Sequence, residues 1–154
     1  MIAGIWKPFS SICFLTSVYC HLSFGICFLK IGVYMDISTT MDAIKSHPDF
    51  DKVGMVLCHN GVVRGTSRDG RKVRGLSVTV DHRKLDQIIS EQKKRPGILD
   101  IRVEIAEDRD LTIGDDVMLL VVAGDIRENV IAVLTDTLNL IKSTVTSKTE
   151  YFYN

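Results

Sequence analysis

The chain has 154 residues, whose 19 basic and 19 acidic side chains leave no net charge, and this length fits one domain with a hydrophobic core. Hydrophobic residues make up 45% and charged residues 25% of the chain, which excludes a disordered tail, a collagen-like fibre, a coiled coil and a disulfide scaffold. The neutral total excludes a general polyanion-binding protein, although a local basic patch can exist within it.

The N-terminal segment, residues 1–34, differs from the rest of the chain. It contains two lysines and no acidic residue, so that residues 35–154 carry a net charge of −2. Its run 12–29 is mostly apolar but interrupted by polar residues, and a membrane span needs ~20 predominantly apolar residues. Three interpretations are open: upstream translation from a misassigned start codon, which we favour, a membrane anchor, or a hydrophobic N-terminal helix. A start at Met35 predicts a cytoplasmic protein whose working domain is residues 35–154.

The cysteines and histidines lack the spacing of metal ligands. Cys13, Cys20 and Cys27 recur every seven residues, whereas metal sites usually use tight pairs such as Cys-x2-Cys. Cys58 lies in an apolar stretch and is predicted to be a small core residue. We expect no metal and no cofactor, since the histidines also form no spaced set: His21, His47, His59 and His82.

The first predicted elements are a short helix and a strand. Residues Ser38–Ser46 can form the helix, with Met41 and Ile44 facing inward, and Pro48 ends it. Val53–Val63 is predicted to be a strand that is buried on both faces, because apolar residues occupy both of its alternating sets.

A turn and a second strand follow. The segment Gly65–Arg71 is rich in charge and glycine, and Asp69-Gly70 is a strong hairpin signal. Val73–Val80 is therefore predicted to return as the partner of the first strand.

Three further elements are predicted between residues 81 and 123. Asp81 can cap a helix that runs to about residue 94. Apolar and polar residues alternate over 99–105, which predicts a half-buried strand. After a polar connection at 108–116, the continuous apolar run 117–123 fits a central strand.

The last helix is predicted to begin near Asp125, which can pair with Glu128 in a capping box. An extended tail is predicted over 145–153. The order α-β-β-α-β-β-α plus a tail predicts an α+β fold. The buried stripe of the helix is expected to comprise Ile126, Val130, Val133, Leu134, Leu138 and Ile141.

Basic residues cluster at the predicted hairpin, and two lysines flank the end of the last helix. One interpretation is a solvated hairpin tip with lysines that complement the helix dipole. The other is an anion pocket, in which Arg64 projects from a rigid strand end and binds a phosphate bidentately. The cluster comprises Arg64, Arg68, Arg71, Lys72 and Arg74, with Lys142 and Lys148 at the helix end.

Three features of residues 36–150 resemble the MoaE family, the large subunit of molybdopterin synthase. The strand that leads into Gly61-Val62-Val63-Arg64 is similar to the family's Gly-x-Val-Arg motif. Leu111-Thr112-Ile113-Gly114-Asp115 is similar to its Leu-x-x-Gly-Asp/Glu turn. The last helix, with Lys142 at its end and Lys148-Thr149-Glu150 after it, is similar to its two-lysine C-terminal region.

The resemblance implies an α/β-hammerhead fold with an antiparallel sheet and flanking helices. It also implies a homodimer and a small ubiquitin-like partner of the MoaD family. That partner's C-terminal Gly-Gly carries a thiocarboxylate, from which two sulfurs pass to cyclic pyranopterin monophosphate in molybdenum cofactor biosynthesis. Lys142 and Lys148 would be catalytic, and Arg64 would bind the substrate phosphate. Lysines suit acid–base or covalent steps of this kind.

Two departures from the family pattern concern the candidate site residues. The two lysines are six residues apart instead of seven, without the family's Pro and Trp between them, and Asp125-Ile126 replaces a His-Arg pair. Arg127 can supply the missing cation by a register shift and is therefore a second candidate for substrate binding. These departures leave an alternative open, a noncatalytic MoaE-like protein that binds a ubiquitin-like partner.

Overall fold

A computed structural model describes residues 35–153 of the chain. The predictions for residues 1–34, with Cys13, Cys20, Cys27 and His21, lie outside the described residues. None of the helices within residues 35–153 is long and apolar enough to cross a membrane. In chain order the elements are α1 Ile37–Lys45, a 3-10 turn Phe50–Lys52, β1 Met55–Val62, β2 Val73–Val80, α2 His82–Lys93, β3 Ile98–Ile105, β4 Leu111–Thr112, β5 Asp116–Gly124, α3 Arg127–Leu140, a π-helical turn Ile141–Val145 and β6 Thr146–Phe152.

The strands form two antiparallel sheets of three strands each, with the orders β1-β5-β3 and β4-β2-β6. Helices pack against these sheets, which confirms the predicted α+β class with antiparallel sheets and flanking helices.

Strand β5 is the centre of the first sheet, and eight of its nine residues are buried. Leu120 and Val122 pack on one face against apolar side chains of α3. Leu119 and Val121 pack on the other face against Ile44 of α1. Because successive side chains of a strand point to opposite faces, a strand covered on both sides must be apolar throughout. The predicted central strand is confirmed. Each of its fully buried Val or Leu side chains contributes about 1.5–3 kcal/mol to the stability of the fold.

The predicted hairpin between the first two strands is wrong. The Asp69-Gly70 turn does form, with Gly70 at a φ of +86°, but it closes only the isolated bridge between Thr66 and Lys72. β1 pairs with β5, whereas β2 pairs with β4 and β6 in the other sheet. The turn chemistry was identified correctly, but local turn chemistry does not determine which distant strand offers the better pairing edge.

Helix α2 and strand β3 follow the prediction, except that Asp100, a polar residue of the alternating strand, is buried. Asp81 is the N-cap of α2, and its side chain accepts a hydrogen bond from the backbone N–H of Lys84. In β3, Asp100 is only 5% exposed, with Lys93 Nζ and Arg102 Nε each 2.6 Å from its carboxylate. Burial raises the pKa of Asp100, but the hydrogen bonds from Lys93 and Arg102 outweigh it and hold the pKa below its ordinary value of 3.8.

The predicted start of the last helix needs correction. The N-cap of α3 is Ile126, which has no side-chain capping bond and is 53% exposed, so it is not part of the buried stripe. Asp125 instead accepts hydrogen bonds from the backbone N–H of Ile126 and from Asn129 Nδ2. Glu128 accepts from Arg127 Nε and forms no capping box. The rest of the stripe is buried or partly buried in the core.

Three other predictions also differ from the structure. Cys58 is exposed on the edge strand β1, although Val56 of the same alternating set packs in the core. The predicted polar connection contains the short strand β4, with Leu111 1% exposed. The predicted tail is the strand β6, which pairs with β2 along its length. This pairing fixes the position of the C-terminal lysine that the resemblance singled out.

Candidate active-site pocket

A pocket of about 550 Å³ opens between the end of β1 and the sheet formed by β2 and β6. We call it the basic pocket. Its walls combine apolar side chains with a group of basic ones. The polar and charged lining residues are His59, Arg64, Arg68, Lys142, Thr146, Lys148 and Glu150, and the apolar ones are Val62, Val73, Leu76, Val78, Val117 and Met118.

The end of β1 places Arg64 at the rim of this pocket. Val63, the preceding residue, is 2% exposed. Its N–H donates to the carbonyl of Asp115, and its carbonyl accepts from the N–H of Gly114, both at 2.9 Å. Arg64 therefore projects from a backbone that is fixed on both sides, as the sequence analysis predicted. Its guanidinium suits planar, bidentate recognition of a phosphate or carboxylate.

The π-helical turn after α3 places Lys142 in the same pocket. Ile141 and Val145, at the two ends of this turn, are 0% and 4% exposed and pack into the core beside Met118. The hydroxyl of Thr144 donates to the carbonyl of Leu140 at 2.7 Å, so a side chain gives this carbonyl at the end of α3 a hydrogen-bond partner. Short π-helical segments are frequent at functional sites. Here the turn keeps its apolar residues inward and leaves Lys142 facing the pocket.

Strand β6 contributes Lys148 and Glu150, which form an ion pair. Lys148 Nζ lies 2.6 Å from Glu150 Oε1, and the two side chains are 52% and 21% exposed. Residues two apart on a strand share a face, so both line the pocket. Glu150 is the acidic residue among the described lining residues, against four arginines and lysines. The arrangement can bind a ligand with more than one negative charge.

His59 also lines the pocket, and the sequence analysis did not assign it to the site. Its Nε2 is buried and has no hydrogen-bond partner among the described residues. Burial lowers the pKa of His59 below its ordinary value of 6.5, and the positive charge of Lys142 lowers it further. A signal existed in the sequence: Met55, Leu57 and His59 belong to one alternating set, in which the histidine interrupts an apolar face.

The hairpin arginines do not act together. Arg64 and Arg68 line the basic pocket. The Arg71 guanidinium lies 3.9 Å from the ring centroid of Phe152 and forms an ion pair with Asp69. Arg74 lies 5.8 Å from the ring centroid of Tyr151. Two of these arginines thus face the basic pocket, while the other two stack on aromatic side chains of β6.

Arg127 is not part of this pocket. It begins α3, whose 14 residues separate it from Lys142 by about 20 Å along the helix axis. Its Nε is paired with Glu128 Oε1 at 2.7 Å, and its side chain is 78% exposed. Within one chain, Arg127 and the basic pocket therefore lie at opposite ends of the first sheet.

Metal ligands do not cluster in the part of the chain that the structure describes. No group of three or more His, Cys, Asp or Glu residues between residues 35 and 153 could hold a metal ion.

Comparisons with known proteins identify the relatives of this fold. The model of one protein family, described as MoaE protein, matches residues 34–144. A search of the curated proteins found no significant match. The match to the family model includes Arg64 and Lys142, whereas Lys148 lies beyond its end.

Several solved structures share the fold. Molybdopterin synthase from Staphylococcus aureus is 23% identical with a TM-score of 0.62, over 79% of this chain and 90% of that one. A complex of subunits 1 and 2 of molybdopterin-converting factor from Helicobacter pylori 26695 contains a chain that is 19% identical with a TM-score of 0.60, over 80% and 84%. Molybdopterin cofactor biosynthesis protein E from Burkholderia multivorans ATCC 17616 is 22% identical with a TM-score of 0.61, over 77% and 82%.

Proposed function

The chain belongs to the MoaE family, and we propose that it is the large subunit of a molybdopterin synthase. Membership of this family indicates a role in molybdenum cofactor biosynthesis. The proposed reaction transfers sulfur from a thiocarboxylated ubiquitin-like small subunit to cyclic pyranopterin monophosphate. Each transfer breaks the carbon–sulfur bond of one thiocarboxylate, joins that sulfur to the pterin and leaves the small subunit with a carboxylate after water adds.

The observation that carries this proposal is the convergence of Arg64, Lys142 and Lys148 on one pocket. Arg64 follows β1, Lys142 lies in the π-helical turn and Lys148 lies in β6, and residue 64 is far from the other two in the sequence. A phosphate ester and a thiocarboxylate are both anions, and a pocket with four cationic side chains and one carboxylate attracts them. The apolar wall opposite these charges suits the flat ring system of a pterin.

We assign different roles to the three residues. Arg64 binds the substrate phosphate, since its backbone is fixed and its guanidinium can form two parallel hydrogen bonds. Lys142 and Lys148 are the catalytic residues, which hold the thiocarboxylate and move protons during the transfer. Glu150, 2.6 Å from Lys148, keeps that ammonium group positioned until the negative tail of the partner arrives.

The proposed partner is a MoaD-like small subunit with a Gly-Gly C-terminus. The Helicobacter pylori structure contains both subunits of its molybdopterin-converting factor, which supports a two-subunit assembly for this chain. Val62 at the pocket and Ile113 are 55% and 49% exposed, and Ile113 approaches Gly65, next to Arg64. Exposed apolar side chains beside a charged pocket suit a protein partner, and a Gly-Gly tail has no side chains to obstruct its entry.

We also propose a homodimer, in which Arg127 of one copy binds the substrate of the other. Arg127 cannot reach the basic pocket of its own chain, so it can bind substrate only if a second copy brings it there. In a twofold dimer each copy can offer its Arg127 to the pocket of the other.

The test is a reconstituted reaction with the cognate thiocarboxylated small subunit and cyclic pyranopterin monophosphate. We expect a dithiolene product. If the small subunit binds and no dithiolene forms, the enzymatic proposal fails.

The alternative function is a noncatalytic protein that binds the ubiquitin-like partner. It is favoured by the altered spacing of the two lysines and by the loss of the His-Arg pair. Lys148→Ala distinguishes the two functions: it abolishes turnover in an enzyme, whereas in a binding protein it has only modest effects on partner affinity. Arg74→Ala, which removes a charge outside the pocket, is the matched control.

A further inference from the structure

The proposed reaction assigns no task to His59, a residue of the basic pocket whose Nε2 is buried. It lies on the set of β1 side chains that faces α3, two residues after Leu57, which packs in the core. At the pocket the next position in this set is Gly61. A Cβ at Gly61 would lie 3.4 Å from His59 Nε2, so a larger residue at position 61 would contact the edge of the imidazole ring.

The imidazole is held in an unsatisfied state. A buried polar atom without a hydrogen bond costs about 1–3 kcal/mol, and His59 Nε2 is such an atom within residues 35–153. A ligand in the pocket can supply the missing partner. The second torsion of a histidine is soft and roughly twofold, so a small rotation of the ring can turn a nitrogen toward the ligand.

The positive charge around His59 falls when an anion binds. In the empty pocket the cationic groups outnumber the single carboxylate, and β2 and β5 line it with apolar side chains. The buried residues of α3 are Val130, Val133 and Thr137. Positive charge of this kind opposes a further proton on the ring. A doubly charged anion would neutralise most of it. The charged groups around the pocket are Arg64, Arg68, Lys142, Lys148 and Glu150.

We propose that His59 is an anion-binding residue of the basic pocket, which is neutral in the empty pocket and binds the anion as an imidazolium. Binding then takes up one proton from solvent, and it weakens as the pH rises above the range in which the ring can be protonated. The inference rests on the anion pocket of the proposed function, but not on sulfur transfer itself.

The direct test is a titration of the His59 ring by NMR in the full chain, in sodium sulfate and in sodium chloride of equal ionic strength. Sulfate is the probe because it is a dianion that does not titrate near neutral pH. His59→Phe identifies the signal, and His82, which is paired with Glu107 outside the pocket, reports any general effect of salt. We expect a pKa below 6.5 in chloride and a rise of about one in sulfate, which corresponds to tenfold tighter binding by the imidazolium.

Two variants keep the test specific. His59→Phe should bind sulfate several-fold more weakly at pH 6, with the full tenfold reached only below both pKa values of the ring, and it should lose the pH dependence of binding. Gly61→Ala keeps the histidine but places a methyl group 3.4 Å from Nε2, and it should reduce the sulfate-induced rise in the pKa of His59.

Three results would overturn the inference: no sulfate binding, sulfate binding that leaves the His59 titration unchanged, or a His59→Phe variant with the pH dependence of the wild type. The proposed function fails separately: if no dithiolene forms but sulfate still raises the pKa of His59, the enzymatic proposal is wrong and the role of His59 stands.

Discussion

Replacing Arg64 by glutamine tests whether the position of a charge in the basic pocket, and not the total charge, determines substrate binding. Arg64→Gln removes one of the four cationic side chains that line the pocket. A charge-assisted hydrogen bond contributes about 1.5–3 kcal/mol. Two unit charges 4 Å apart interact by about 1 kcal/mol in water and about 4 kcal/mol at the edge of a protein. Because Arg64 is exposed, we take about 2 kcal/mol, which corresponds to a roughly 30-fold higher Kd.

Arg74→Gln is the matched control. It removes the same charge from the next strand, but Arg74 stacks on Tyr151 and does not line the pocket. Screening at physiological ionic strength acts within ~8 Å, so we expect less than a twofold change. The assay is calorimetric titration of cyclic pyranopterin monophosphate at fixed ionic strength. Equal losses of affinity in the two variants, or a change within twofold for Arg64→Gln, would refute the reasoning.

Three further predictions concern stability and assembly. Asp100→Asn should lower the free energy of unfolding by about 1–3 kcal/mol at pH 7, measured by urea denaturation. The folded pKa of Asp100 lies below its ordinary 3.8, so the stability that the carboxylate contributes is complete well above pH 4 and is lost as the pH falls through the folded pKa. The variant should therefore lose less stability in acid than the wild type. Gly124→Ala should cost about 1–3 kcal/mol by overpacking, since its Cβ would lie 2.4 Å from the carbonyl oxygen of Gly97; unchanged stability would contradict this contact. The variants Arg127→Ala and Lys142→Ala should each be inactive alone. When their subunits are mixed at random, half of the dimers contain one of each and have one intact site of two, so about a quarter of wild-type activity should return. No recovery would exclude Arg127 from the pocket of a second copy.

The sequence was most informative where a local pattern decides the structure. The apolar run in β5 predicted a central strand because burial on both faces requires an apolar residue at every position. Asp81 predicted the start of α2 because a capping side chain acts within one helical turn.

Long-range pairing was beyond such patterns. Asp69-Gly70 forms its turn, yet β2 joins the other sheet. The capping box at Asp125 had the right residue spacing, but the aspartate bonds Asn129 instead.

The candidate site was predicted in part. Arg64, Lys142 and Lys148 were singled out by a basic cluster and by family resemblance, and the structure brings all three to one pocket. His59 was missed because its one sequence signal, the interruption of an apolar alternating set, does not indicate which residues lie near it; the fold places it near Lys142. Arg127 has the required charge but lies at the other end of α3. Its proposed role depends on a second copy, which one sequence does not describe.

The most direct test of the central claim is a single-turnover measurement of sulfur transfer from the thiocarboxylated small subunit to cyclic pyranopterin monophosphate. Mass spectrometry would follow loss of the thiocarboxylate and gain of sulfur by the pterin in the same sample. We predict that two thiocarboxylates are consumed for each dithiolene formed, and that Lys142→Ala and Lys148→Ala stop both changes while Arg74→Ala does not. If Lys142→Ala and Lys148→Ala transfer sulfur at the wild-type rate, the claim that the basic pocket is the active site is contradicted.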